Sequence, residues 1–510
     1  MRKNISKRRL KYGTLSLLLC VLVVTSLIIL NVIAAVLSLR YEWMYGEIAR
    51  PEVYELSDPC REYIEKYVST ELSERGGKIK IIFCDTRENI RSEEMYKYVF
   101  DSIVEVTEEF SDIIEIEYMD VFEKPTLASS YGVDSVNDVV FLYGDKHETV
   151  DLRDFYAYET VNYESVVTAY NGEILIASAL MRVTQKHTPM CYVTVNHGEE
   201  FADQELVRVI AQAGYTVGTL DLYTDEIPGD CETLLTYNPK KDLTVSGETS
   251  DVSEIARLEE FMATGGKYMV FLSADTFASG GFDHFEGFLA SWGVNYNHKT
   301  TDEGIEACYL VKDSANSLTG DGYTVVAAAA RSGAMADLAA GVKSPASFGN
   351  TTYMSVSSGF NADENGNFVS LETNRKLSPM FLANSTAVAW ADGRAVTRAG
   401  EEDFILMSMT EQTCANGEKS YLVASASTDF AAGDALQSAS LGNSKAIGEI
   451  LRYMGKDNAP STLVPKPMGQ TDIASLTTRD ATIITVVMVA LPMIISATVG
   501  TVVIVRRRNR

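Results

Sequence analysis

The sequence predicts an α/β protein with two membrane spans, and three observations predict it. Two long runs without a charged residue lie near the ends, strand and helix patterns alternate twice between them, and a Gly-, Ser-, Ala- and Asn-rich β segment interrupts the second alternation at about 301–415. A chain of 510 residues exceeds one ordinary core, and a 46% apolar fraction is that of a globular protein.

From Thr14 to Leu39 no charge occurs in 26 positions. At about 1.5 Å per residue such a helix reaches roughly 39 Å, enough to cross a bilayer with some tilt. A cleaved signal peptide would carry a shorter apolar core, about 7–15 residues. Ile483 to Val505 is a second uncharged run, broken only by Pro492 and Gly500, which membrane helices tolerate. Arg2, Lys3, Lys7, Arg8, Arg9 and Lys11 precede the first run, and Arg506, Arg507, Arg508 and Arg510 follow the second. The positive-inside rule then expects both termini in the cytoplasm, at a plasma (inner) membrane, with residues of about 40–482 extracytoplasmic. Net charge is −26 although both tails are basic, so the body between them is strongly acidic. That argues against nucleic acid and anionic head groups as partners. Of the seven cysteines none forms a C-x-x-C pair or a metal knuckle.

The elements follow in order. Ser57 is placed to cap a helix with Pro59 in its first turn, and Gly76-Gly77 ends that segment. "KIKIIFC" (78–84) alternates as a strand, and a helix with Met95, Val99, Phe100, Ile103, Val104 and Phe110 on one side follows. "IIEIEYMDV" and "DVVFLYG" are further strands, completing one small α/β domain over 78–150. Residues 151–188 read as a Tyr-rich connector with one helix. A second α/β unit begins at "CYVTVNHGEEF", continues through a helix capped by Asp203 and ended at Gly214, and runs through "YTVGTLDL", "TLLTYNP" and "KYMVFLSAD". Near-continuous apolar strands with short helical connections imply a parallel sheet covered on both faces. "ENGNF" marks a hairpin turn inside the β-rich segment, "SYLVASASTDF" returns to the strand pattern, and a helix from Asn443 buries Ala446, Ile447, Ile450, Leu451 and Met454.

The expected organisation is a basic tail (1–13), a span (14–39), a juxtamembrane helical segment (40–77), the first domain (78–150), the connector (151–188), the second domain (189–458) with its β-rich insertion, a Pro-rich linker (459–482), a span (483–505) and a basic tail (506–510).

In a parallel sheet, ligands collect at the carboxyl ends of strands, and His197, Gly198, Glu199 and Glu200 hold such a place. Asp275 and Asp429 also follow apolar strands and would lie along the same edge. One His beside two carboxylates lacks the further ligands a metal needs, and His284 and Glu286, two apart on a helix, point to different faces. The cluster therefore reads as a strand tip facing a cleft, a ligand or partner contact rather than a catalytic or metal site; no cofactor is expected. Asp at a strand end also caps turns, and Phe282, Phe285, Phe288 and Trp292 read as core rather than a sugar platform.

Several stretches together resemble a known family: "VYELSD" after the first span, "KPTLASSYGV" and "DVVFLYG" in the first domain, "VNHGEE", "LEEFMATGGKYMVFL", and the closing "STDF" and "LGNSKAIGEILRYMG". Their order is similar to the gliding-motility GldG-type auxiliary proteins of ABC transporters, over about 14–300 and 420–505. That resemblance implies a thioredoxin-like first domain, a glutamine-amidotransferase-like second domain, and an ABC permease and a cytoplasmic ATPase subunit as partners, with cargo unspecified. It also implies a non-catalytic auxiliary role. Cys84 stands alone where a redox thioredoxin needs paired thiols, and no G-x-C-x-G elbow exists for an amidotransferase. No P-loop is present, so the ATPase is not this chain. Two alternatives stay open: an extracytoplasmic hydrolase using His197 with Glu199 or Asp275, and a saccharide- or envelope-binding surface module.

Overall fold

A computed structural model describes residues 55–468 other than 162–163, 200–203, 248–250, 280, 301–305, 392, 439, 456–457 and 461–462. These residues belong to one unit, Val53–Gly469. The two-span expectation is corrected: among the described residues no helix is long and apolar enough to cross a membrane. The uncharged runs 14–39 and 483–505 and the basic tails, which carried that expectation, lie outside the described residues. What the structure establishes is a mixed α/β fold with many strands.

The first lobe opens with α1 (Asp58–Tyr63), where Ser57 Oγ accepts from Cys60 N and Pro59 sits in the first turn. A π-helical turn, Ile64–Ser69, leads into α2 (Thr70–Arg75), which stops at Gly76 with φ 72°. Then come β1 (Ile79–Phe83), α3 (Arg87–Ser92), α4 (Glu94–Glu109), β2 (Ile114–Tyr118), α5 (Pro125–Ser130), β3 (Asp138–Tyr143) and β4 (Lys146–Asp151). The sheet order is β2-β1-β3-β4, with β1 and β2 parallel and the other pairs antiparallel. The period-2 alternation of β1 sorts its side chains by face. Ile79, Ile81 and Phe83 join Val99, Phe100 and Ile103 of α4, while Ile82 and Cys84 meet Met119, Ala128 and Val140 on the other side.

Residues 151–188 do more than connect. They form β5 (Tyr156–Val161), β6 (Glu164–Tyr170) and α6 (Gly172–Thr184), and Leu175, Ile176, Leu180 and Val183 of α6 complete the first core. The same helix grips the second lobe: Ser178 Oγ donates to the Gln212 carbonyl at 2.9 Å, and Arg182 donates to those of Ala211 and Tyr215.

The second lobe comprises β7 (Met190–Thr194), α7 (Gln204–Gln212), β8 (Thr216–Leu220), β9 (Cys231–Tyr237), α8 (Glu254–Ala263), β10 (Lys267–Phe271) and α9 (Asp283–Ser291). The β-rich segment supplies β11 (Leu310–Lys312), β12 (Phe360–Ala362), β13 (Phe368–Ser370), β14 (Lys376–Leu382), β15 (Val388–Ala391), β16 (Arg394–Arg398) and β17 (Ile405–Thr413). The chain returns through β18 (Lys419–Ser425), α10 (Gly433–Gln437) and α11 (Asn443–Tyr453). One sheet runs β12-β13-β14-β17-β18-β10-β9-β7-β8; its β18-β10-β9-β7-β8 portion is parallel, and the remainder antiparallel. Strands β12, β13, β14 and β17 of the β-rich segment thus widen the main sheet, while β11, β15 and β16 form a three-stranded sheet of their own. Val311, Phe348, Met380, Phe381 and Leu406 share a core with Cys191, Val193, Ile210 and Met269. The hairpin expected at "ENGNF" joins β12 to β13, with Gly366 at φ 83°.

Candidate functional site

In chain order the parallel strands stand 2-1-3-4-5, so the strand order reverses between β7 and β9. That switch point is where an open α/β sheet leaves a crevice for a ligand. Here His197 and Glu199 meet Glu254, a side chain of the same chain.

The chain leaves β7 through Asn196 (φ 78°) and Gly198 (φ 75°), two left-handed residues that fold it back on itself. Between them His197, 6% exposed, turns inward. Its backbone N–H donates to Glu199 Oε2 at 2.6 Å, and its Nδ1 lies 3.2 Å from Glu199 Oε1. Its Nε2 lies 2.9 Å from Oε1 of Glu254, a side chain with no exposure. That second contact falls short of hydrogen-bond alignment, so charge rather than direction holds it. Glu254 is the first residue of α8, behind the Ser253 cap, where the helix dipole favours a carboxylate. Its Oε2 accepts from Thr244 N at 2.8 Å and Thr244 Oγ1 at 3.0 Å. The His197 carbonyl accepts from Lys240 N at 2.7 Å, and a Cβ on Gly198 would lie 3.1 Å from Lys240 Cβ. The loops after β7 and β9 are therefore locked together over the switch point. Behind them a buried polar ladder crosses three strands, from Thr194 Oγ1 to Thr236 Oγ1 at 2.9 Å and on to Tyr268 OH at 2.7 Å.

Burial alone would push the His197 imidazole below its ordinary 6.5, but the hydrogen bond to Glu199 and the close charges of Glu254 and Glu199 outweigh it and raise it to about 10. Burial likewise pushes the Glu199 and Glu254 carboxyls up; the imidazolium more than reverses this, and both sit below their ordinary 4.5. The imidazolium's stabilisation is complete below pH 6.5, declines as pH rises, and is gone above about 10. The carboxylates contribute fully above 4.5 and lose their contribution as pH falls through their lowered values. The cluster should therefore stabilise most between about 4.5 and 6.5. The His197 ring resonances should titrate with a midpoint near 10; a midpoint near 6.5 would remove the ion-pair description.

Asp275 is exposed and Asp429 half-buried, at the ends of neighbouring strands β10 and β18. Burial raises the Asp429 carboxyl, a hydrogen bond from Asn350 Nδ2 at 3.1 Å opposes this, and the charges of Asp275 and Asp434 add to the rise. Smaller bonds run along the same edge. Thr276 Oγ1 donates to Asn238 Oδ1 at 2.8 Å, Lys240 Nζ to the same oxygen at 3.1 Å, and Tyr237 OH to the Thr428 carbonyl at 3.0 Å. The expected residues thus divide: Asp429 feels the charge of Asp275, His197 pairs with Glu199 and Glu254, Gly198 makes the turn, and Glu200 lies outside the described residues.

The sequence reading missed Glu254, Lys240 and the Thr194–Thr236–Tyr268 ladder. The available signal was an acid directly behind a Ser cap at a helix start beside the switch point. His284 and Glu286 indeed face apart: His284 Nδ1 meets Asp242 at 3.1 Å and Glu286 meets His298 Nε2 at 2.6 Å. Among the described residues no group of three or more His, Cys, Asp and Glu is arranged to hold a metal ion. Cys84 and Cys231 are unpaired thiols, each pushed up to about 12, chiefly by burial and then by Asp138 and Asp230 respectively. Neither is a ready thiolate. Phe282, Phe285, Phe288 and Trp292 are core, none more than 4% exposed.

Fold and cluster define a mixed α/β protein with a buried His197–Glu199–Glu254 cluster at its switch point. No protein-family model matches the chain. No curated protein matches it. Among solved structures it is similar to one titled "mmIFT52 N-terminal domain", at 11% identity and a TM-score of 0.35, over 52% of this chain and 96% of that one. So slight a likeness carries no argument about function.

Proposed function

We propose that the chain is a non-catalytic auxiliary subunit of an ABC transporter, working by recognition of a partner or cargo while a separate cytoplasmic subunit hydrolyses ATP. The observation that supports this most is the His197 cluster. A general base needs an unprotonated nitrogen turned to a substrate; His197 carries a proton through neutral pH and turns both ring nitrogens to carboxylates of its own chain. The same pairing weighs against His197 as the base of a hydrolase. The absence of a P-loop and of a nucleophile elbow, together with the resemblance in motif order, supports the auxiliary role. Affinity purification of the full chain from its native cells should bring down a nucleotide-binding subunit and a permease in fixed ratio. A chain that purifies alone and sustains its full biological activity in cells lacking them would overturn the proposal.

A further inference from the structure

Where α6, α7, α10 and α11 come together, the chain encloses a cavity of about 130 Å³ that shares no lining residue with the His197 cluster. Ile174 of α6, Val209 of α7, Leu436 of α10 and Leu463 give it apolar walls. Leu463 belongs to the chain returning from α11, and Lys466 fastens that chain: its Nζ lies 2.9 Å from Glu173 Oε1, and its backbone pairs with Tyr170 of β6.

Two polar groups on these walls are left over by the fold. Asn171, directly before α6, lines the cavity and is only 5% exposed. Its backbone N–H donates to the Phe155 carbonyl at 2.7 Å, but its side-chain amide does not cap α6 and has no hydrogen-bond partner among the described residues. Buried amides are ordinarily paired, so one turned to a cavity calls for a partner there. Lys445 of α11, half-buried on another wall, has no carboxylate partner among the described residues, although the chain has 70 acidic residues against 44 Lys and Arg. Arg208 also lines the cavity, but Glu205 neutralises it at 2.5 Å. The start of α11 adds to the charge of Lys445. Its Gly442 cap offers no side chain, and the Asn443 amide turns away to the Ser347 and Phe430 carbonyls, so the positive end of the helix dipole stays uncompensated.

We propose that this cavity binds a small amphiphilic carboxylate, one acid group on an apolar body of about six carbons, since a cavity of about 150 Å³ holds a benzene ring. The carboxylate compensates Lys445 and accepts from Asn171 Nδ2, while the body lies against Ile174, Val209 and Leu436. A phosphate ester fits less well, because one cation cannot answer its second charge and the apolar walls offer its further oxygens nothing. A cationic amine would meet Lys445 as a like charge. The inference stands independently of the His197 cluster and of the transporter reading.

The test is isothermal titration calorimetry of the full chain with hexanoate at neutral pH. One equivalent should bind, Lys445→Gln should weaken binding about tenfold or more, and Lys445→Arg should retain most of it. Asn171→Ala should weaken it several-fold. 1-Hexanol should bind more weakly than hexanoate and be indifferent to Lys445→Gln, and hexylammonium should not bind. Neither side chain holds a partner within the fold, so the variants should unfold at the temperature of the parent, which separates loss of the site from loss of the fold. The comparison of hexanoate with hexylammonium on the unmodified chain decides the matter even without them. No saturable binding of hexanoate, undiminished binding by Lys445→Gln or by Asn171→Ala, or equal binding of hexylammonium would each overturn the proposal.

Discussion

Replacing His197 by alanine is expected to destabilise the fold by about 3–5 kcal/mol, the loss seen when one partner of a buried ion pair is removed and its counter-charge stays behind. Two counter-charges stay behind here, because the Glu199 and Glu254 side chains are 3% and 0% exposed. Their repulsion would add to the desolvation that the imidazolium now offsets, and the loops after β7 and β9 would part. Glu254→Gln in the alanine background should recover part of the loss, since the amide retains an acceptor for Thr244 without a charge. Equilibrium urea unfolding of the full chain checks this. A loss under about 1 kcal/mol would mean that water reaches the cluster and that the switch point is open.

Trp292→Ala should be comparably severe, about 3–5 kcal/mol, the range for emptying a large aromatic site in a core. Trp292 ends α9 with no exposure, its ring centre 6.4 Å from that of Phe288, and the Arg375 guanidinium lies 4.2 Å above it. Its carbonyl also accepts from Thr410 Oγ1 at 2.8 Å, tying α9 to β17. Indole Nε1 makes no hydrogen bond. Trp292→Phe should therefore recover most of the stability, because it gives up volume but no satisfied polar contact. Thermal unfolding of both variants decides this. Equal losses for Ala and Phe would show that stacking with Arg375, not volume, carries the residue's contribution.

Both predictions concern side chains whose partners are far away in sequence, and this marks the limit of what could be read beforehand. The Ser57 cap, the Gly76 stop, the Gly214 turn at φ 95° and the "ENGNF" hairpin were legible because each is settled within a few residues by backbone sterics and local hydrogen bonds. The parallel portion of the sheet was legible from short strands with apolar centres, Leu234 and Leu235 in β9 and Tyr268 to Phe271 in β10, alternating with helices. His197 and Glu199 were found as a strand-end pair because they are two residues apart.

Glu254 was not found, because nothing local distinguishes an acid that favours its own helix start from one that also reaches a histidine on another strand. The pairing of His197 with an acid from another element was not anticipated for the same reason. The β-rich segment was read as an insertion or a β extension of the second domain, but its strand order was not legible, since that depends on β17 pairing with β18 and β14 pairing with β17, registers that no local pattern specifies. Residues 151–188 looked like a connector because only packing reveals that α6 belongs to the first core and also holds α7. The two-span expectation rested on runs outside the described residues, and the fold described here contains no helix of that kind.

By itself, then, the sequence determined the local grammar of this protein: where strands and helices begin and end, which faces are apolar, and that it carries neither a paired thiol, a nucleophile elbow nor a P-loop. Those follow from short-range sterics and periodicity. Tertiary structure alone decided that His197 stands between two carboxylates at the switch point, and that part of the β-rich segment widens the main sheet. Charges and strand edges acquire meaning only from what chain folding brings beside them, and that proximity is set by the whole core at once.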